Sequence, residues 1–239
     1  MDNWFEFRGK KSTDFHLILR EGHHIGSPDR DAEFISIPGR NGDLIRDNER
    51  FENFDDEYDC ALMVGDAQNI EAQARAVKAW LQSEFSYGYL RDYNDLDYYR
   101  EAVCTSKIDI EKTLAQIGWA KIIFNCKPFK KSLVGLETVT LTTEKTLYNA
   151  EAFKSEPYLK VYGSGDVTIY VNNQSINLKG IEDYIEIDSE MKNCFKDTQA
   201  QNDRLRSDWP VFLPGENNIS WTGTVDKLEI IPKWRTLGA

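Results

Sequence analysis

Leu159-Lys160-Val161-Tyr162-Gly163-Ser164-Gly165-Asp166-Val167-Thr168-Ile169-Tyr170-Val171 reads as two short strands around a glycine-rich turn. Leu159 and Val161 alternate with Lys160 and Tyr162, and Val167, Ile169 and Val171 alternate with Thr168 and Tyr170. Successive side chains of a strand point to opposite faces, so strict alternation marks a strand with one buried face. Gly163-Ser164-Gly165 lacks the third glycine and the following helix of a dinucleotide-binding loop, which leaves a β-turn as its reading. The pattern then repeats toward the C-terminus. Asn172-Asn173 punctuates the run, Ile176 and Leu178 precede Gly180, and Tyr184-Ile185-Glu186-Ile187-Asp188 alternates again. Ile219–Trp221 and Leu228–Ile230 flank Gly223. Short strands at this spacing predict an antiparallel β-sandwich over residues 131–239.

The first 130 residues add strands and one helix. Phe15, Leu17 and Leu19 predict a strand, residues 21–32 a loop, and Glu33–Ile37 a second strand that stops at Pro38-Gly39-Arg40-Asn41-Gly42-Asp43. Asn-Gly tolerates positive φ and is a strong hairpin signal. From Asn69 to Phe85, Ile70, Ala74, Val77, Trp80 and Leu81 trace one apolar stripe at helical spacing. Tyr98–Ile110 and Trp119–Cys126 return to strand, and in the second run Ala120, Ile122, Phe124 and Cys126 alternate with Trp119, Lys121, Ile123 and Asn125. Pro128 cannot donate to a ladder, so the strand is expected to end there, with a domain boundary near residue 131. The fold class read from these patterns is mainly β with one amphipathic α-helix, in two domains, 1–130 and 131–239.

Composition narrows the function. The 239 residues carry 29 Lys and Arg against 40 Asp and Glu, a net charge of −11. The split is −7 over residues 1–130 and −4 over residues 131–239, so neither half is a basic module. Such acidity argues against non-specific nucleic-acid binding, which needs cations to displace counterions from phosphates. The longest uncharged stretch, Val167–Leu178, has 12 residues, against about 20 for a spanning helix. The first residues, MDNWFEFRGKK, lack the basic-then-apolar pattern of a secretion signal, which predicts synthesis in a cytoplasm. Cys60, Cys104, Cys126 and Cys194 show neither C-x-x-C nor zinc spacing and are expected to be reduced thiols.

A search for chemistry returns little. His16, His23 and His24 form no metalloprotease motif, and no G-x-S-x-G nucleophile elbow occurs. His16 is expected to be packed or at the surface, and His23-His24 solvated. Asp92–Asp97 fails as a calcium loop at Leu96. Asp55-Asp56-Glu57 with Asp59 reads better as a solvated acidic face than as a cation site. No catalytic residue, cofactor-binding residue or metal ligand is assigned. Residues 43–59 stand out, with eight acids, two arginines and a net −6 in 17 residues. Phe51, Phe54 and Tyr58 are interleaved there. The segment is either a solvated edge or an arm that buries its aromatics on a neighbouring subunit.

Read in order, several motifs resemble one family. They are Phe34–Asp43, Ala79-Trp80-Leu81, Leu90-Arg91-Asp92 with Tyr98-Tyr99, and Phe124–Phe129. Glu156–Gly163, Leu213–Ile219 and Ile231–Arg235 follow in the second half. Across its length the sequence resembles the distal tail proteins of siphophages. The resemblance implies a non-enzymatic hub of the tail tip, or baseplate, of a phage or prophage. In it a tail-tube-like β-sandwich or barrel closes a homo-hexameric ring, and a galectin-like or carbohydrate-binding-module-like sandwich sits outside. It implies a hairpin arm, for which 43–59 is the candidate, with Phe51, Phe54, Tyr58 and Arg40 as expected interface residues. It implies as partners the tail tube protein, the tail-associated lysin or tail fibre, and receptor-binding proteins. DNA would pass through without specific binding, no membrane would be involved, and no cofactor is called for. The protein would be assembled in the bacterial host cytoplasm and end in the virion tail tip for host adsorption. The alternative is a carbohydrate-binding baseplate component, with Trp209, Trp221, Tyr170 and Tyr184 as stacking candidates. A cell-wall hydrolase is a third reading.

Overall fold

A computed structural model describes residues 3–20, 26–65, 69–114 and 116–238. His23 and His24 lie outside the described residues. The chain divides into two compact units, Met1–Lys130 with Leu237–Ala239, and Lys131–Thr236. Strand dominates both, and the described residues contain one α-helix.

In the first unit the main sheet runs, in spatial order, through Lys10–Lys11, Phe5–Phe7, Gly88–Asp92, Tyr98–Cys104, Ile117–Ser132, Phe54–Met63 and Leu17–Leu19. The Ile110–Leu114 strand adds to the start of Ile117–Ser132. The Leu19 N–H donates to the Asn3 carbonyl at 3.0 Å, which brings the two edges of the curled sheet together. The alternation read at 119–126 is realised: Ala120, Ile122, Phe124 and Cys126 are buried, while Trp119 and Lys121 face outward. Ser12–Phe15 is a 3-10 turn, and the strand expected from Phe15 begins only at Leu17.

The helix spans Ile70–Gln82. Asn69 caps it by accepting from the N–H groups of Glu71 (2.8 Å) and Ala72 (3.4 Å). Its buried stripe is Ile70, Val77, Trp80 and Leu81. Trp80 stacks on Phe15 at 4.4 Å, and its indole N–H donates to the Phe7 carbonyl at 3.2 Å. The helix stops short of Phe85, which is 82% exposed, because the apolar stripe has run out.

Pro128 does not end its strand, which continues to Ser132. The partner Phe54–Met63 reaches only as far as Cys126, so no ladder bond on that side is lost at Pro128. Its carbonyl still accepts the Gly238 N–H at 2.8 Å. A proline lacks only the donor, so it is tolerated where no partner needs one.

The second unit corrects the reading of its strands. The runs expected to stop at Gly163–Asp166, Gly180 and Gly223 are continuous, as Tyr158–Val171, Gln174–Asp188 and Gly215–Ile231. The glycines are bends within long strands. Gly165, Gly180 and Gly223 hold φ of +76°, +59° and +96°. A side chain at Gly163 would collide with the Thr224 backbone carbonyl, and one at Gly223 with that of Asp166. The pairing register shifts at these points. Residues from both sides of the bends, including Val161, Ile169, Ile176, Ile185, Ile219 and Ile230, share one core. One bent antiparallel sheet therefore encloses that core, where the pattern predicted more and shorter strands.

Candidate functional site

The feature most unlike the rest is a separate two-stranded sheet, Arg30–Ile35 paired with Leu44–Phe51. Phe34 faces Ile45 across it, and Ile35 faces Leu44. These two pairs lie on opposite faces of the ribbon. Phe34 is 69% exposed and Ile45 63%; Ile35, Ile37 and Leu44 are also exposed. An isolated hairpin is marginal in water, and burying a large apolar side chain stabilises by about 1.5–3 kcal/mol. Five such side chains left in water make an exposed apolar surface of a kind that soluble monomers rarely keep.

What holds the ribbon within its own chain is polar. Arg30 Nε donates to Asp47 Oδ1 at 2.9 Å, Asn48 Nδ2 to Asp31 Oδ1 at 2.8 Å, and Arg50 pairs with Asp31. Arg46 lies 3.5 Å from Glu33. The Asn48 and Arg50 contacts hold the Asp31 carboxyl below the usual range, and Arg30 does the same for Asp47. At the tip, the Arg40 N–H donates to the Ile37 carbonyl at 3.1 Å, and Gly39 sits at φ +81° after Pro38. This is type II turn geometry, with glycine where positive φ is required.

The arm is therefore Arg30–Phe51, and the segment 43–59 does not coincide with it. Phe54–Met63 is a central strand of the main sheet, paired with Ile117–Ser132 and Leu17–Leu19. Tyr58 is 1% exposed and is no docking anchor. Its hydroxyl lies 3.0 Å from Asp92 Oδ2 and 3.1 Å from Asp56 Oδ2, and Arg100 NH1 lies 3.1 Å from that same Asp92 oxygen. Burial, with both carboxylates beside it, pushes the phenol far up and keeps it neutral. Burial works against the Arg100 charge, but Tyr58, Asp56 and Asp92 outweigh it. The cluster satisfies charge inside the fold and presents nothing to solvent. Phe54 packs against the same core, and Phe51 meets Phe129 edge-on at 5.7 Å with Arg30 over its ring. Phe51 thus fastens the arm's root to its own unit. Of the four expected residues only Arg40 stays exposed in the arm. The exposed apolar residues of the hairpin, which the sequence reading did not single out, are Phe34, Ile35, Ile37, Leu44 and Ile45. Their signal was apolar character on both faces of a strand pair that ends in turn chemistry.

The other candidates are occupied structurally. Asp95 is bound by Lys130 at 2.6 Å, and Asp92 Oδ1 accepts the Asn94 N–H at 2.9 Å. Glu57 pairs with Lys121 at 2.5 Å, and Asp55 accepts from Asn125 at 2.9 Å. His16 adopts a left-handed C-cap after the 3-10 turn. All four cysteines are free and buried, and burial pushes the Cys60 and Cys126 thiols far up. Trp209 and Trp221 pack against the core of the second unit. Tyr184 has Lys160 4.0 Å from its ring centre and donates to Asp197 at 2.6 Å.

Residues 11–126 match the family described as phage tail protein RIFT-related domain. The Dit protein of phage SPP1, described as a paradigm of hub adsorption apparatus in phages infecting Gram-positive bacteria, shares the fold. It aligns with TM-score 0.75 and 11% identity over 96% of this chain and 98% of that one. A chain of the phage p2 baseplate, in its activated conformation with strontium, aligns over the same shares at TM-score 0.44 and 10% identity. A comparison with curated proteins finds no match. Fold and family match together define a structural component of a long-tailed phage tail. Residues 11–126 carry this phage tail domain, and the whole chain has the fold of the SPP1 Dit protein.

Proposed function

We propose that this protein is the hub of a siphophage or prophage tail tip, closing a homo-hexameric ring through its Arg30–Phe51 arm. The observation that carries this reading is the arm itself, a two-stranded sheet with five exposed large apolar side chains. A ring closed by one repeated interface needs two different patches per subunit, and an arm reaching to a neighbour supplies one of them. The ring would join the tail tube protein to the tail-associated lysin or tail fibre. Receptor-binding proteins would dock on the second unit. The role is non-enzymatic. Six copies at −11 each carry −66, which would keep DNA from adhering as it passes. Assembly would take place in the host cytoplasm.

Size and shape of the purified protein test this. A hexameric ring by native mass spectrometry and negative-stain microscopy is the expected outcome. A monomer at every concentration refutes it. Sugar binding by the second unit has less support, because Trp209 and Trp221 pack inward and a lysine covers Tyr184.

A further inference from the structure

We propose that a groove on the first unit, centred on Trp119, receives the arm tip of a neighbouring copy, with Arg40 as the inserted residue. This deepens the ring reading and rests on it. On the donor side, three of the arm's four arginines have carboxylate partners: Arg30 with Asp47, Arg46 with Glu33 and Arg50 with Asp31. Arg40 makes no ion pair among the described residues. The type II turn at Pro38-Gly39 fixes its backbone, so less freedom is lost on docking.

On the acceptor side, the outward faces of Phe54–Met63, Ile110–Leu114 and Ile117–Ser132 form a groove lined by Arg20, Asp59, Asp109, Glu111, Trp119 and Lys121. Trp119 is 41% exposed, and Arg20 already lies over its ring at 5.1 Å. Lys121 is engaged by Glu57 at 2.5 Å and Asp109 by Lys107 at 2.8 Å. The Asp59 and Glu111 carboxylates make no ion-pair contact among the described residues. A guanidinium suits such a place, because it pairs with carboxylates in a fixed fork and packs flat on an indole. A single cation without a carboxylate on the arm meets a groove whose carboxylates outnumber its engaged cations. That complementarity selects a second copy of this chain as occupant. A closed ring also requires donor and acceptor on every subunit.

The test uses the full-length chain. Arg40→Glu should weaken self-association about tenfold by analytical ultracentrifugation, and adding Glu111→Arg should restore it. Asn41→Cys with Glu111→Cys should give disulfide-linked multimers on a denaturing gel after oxidation; the native cysteines are buried and do not interfere. Rings that form without that crosslink, or an Arg40→Glu protein that assembles like wild type, overturn the groove assignment and leave the ring intact. A wild-type protein that never assembles overturns the ring reading, and this inference with it.

Discussion

Two hairpins of this protein start from similar sequence patterns and end in opposite situations. Tyr158–Val171 and Gln174–Asp188 turn through Asn172-Asn173, with Asn172 at φ +53°, and their inward residues join one core. Arg30–Ile35 and Leu44–Phe51 turn through an eight-residue loop, and their apolar residues stay in water. The first pair is stabilised by burial, with Val161, Ile176 and Ile185 fully enclosed. The second relies within its own chain on solvent-exposed ion pairs, which water and salt screen to a small net gain. A strand pattern therefore says that a side chain wants cover. Whether its own chain supplies that cover is a separate matter.

Substitutions break this comparison in graded ways. The largest effect is expected at the bend of the buried hairpin. Gly163→Val places a side chain against the Thr224 carbonyl and should cost about 4 kcal/mol or more, read as loss of the cooperative unfolding transition of the second unit. Ile185→Ala in the same hairpin should cost about 2–4 kcal/mol by denaturant titration. The paired change Phe34→Asp with Ile45→Asp in the arm should leave monomer stability within about 0.5 kcal/mol of wild type. It should nevertheless abolish assembly, as seen by light scattering. A large stability loss here would mean that the arm is covered by its own chain after all.

Charge sharpens the contrast at smaller scale. Burial opposes ionisation of Glu190, but Lys131 at 2.7 Å and Lys233 at 3.3 Å outweigh it and hold its carboxyl below the usual range. Glu190→Gln should cost about 1–2 kcal/mol in the second unit, measured by thermal melting. In the arm, Asp31 and Asp47 have lowered native pKa values. Their contribution is present above the ordinary carboxylate pKa and is lost as pH falls through the lower native values. Below about pH 4, proteolysis by an acid protease should therefore cut the arm faster than at pH 6, with little change in the second unit. Raising salt should weaken the same pairs, because they lie in solvent.

Periodicity was legible wherever one face was buried by local neighbours. The helix stripe Ile70, Val77, Trp80 and Leu81 and the inward set Ala120, Ile122, Phe124 and Cys126 appear as read. Strand lengths were not legible, because a glycine inside a bend and a glycine ending a strand look alike in sequence. Pro128 misled for a related reason, since its missing donor matters only if a partner strand is present to use it. The exposed hairpin was half legible. Its position near 43–59 overlapped the arm, and Arg40 is at the tip. Phe51, Phe54 and Tyr58 were assigned outward when each packs on its own unit.

The amino-acid sequence by itself determined the β class, the one helix, the acidic balance and the family resemblance. These depend on local spacing and on composition, which survive without a partner in view. Only the tertiary structure decided that three long bent strands run through the seven-stranded sheet of the second unit and that Tyr58 belongs to a buried charge cluster. It alone showed that Phe34 and Ile45 face water. Burial is a property of what lies opposite a residue, and contacts across many tens of residues set it.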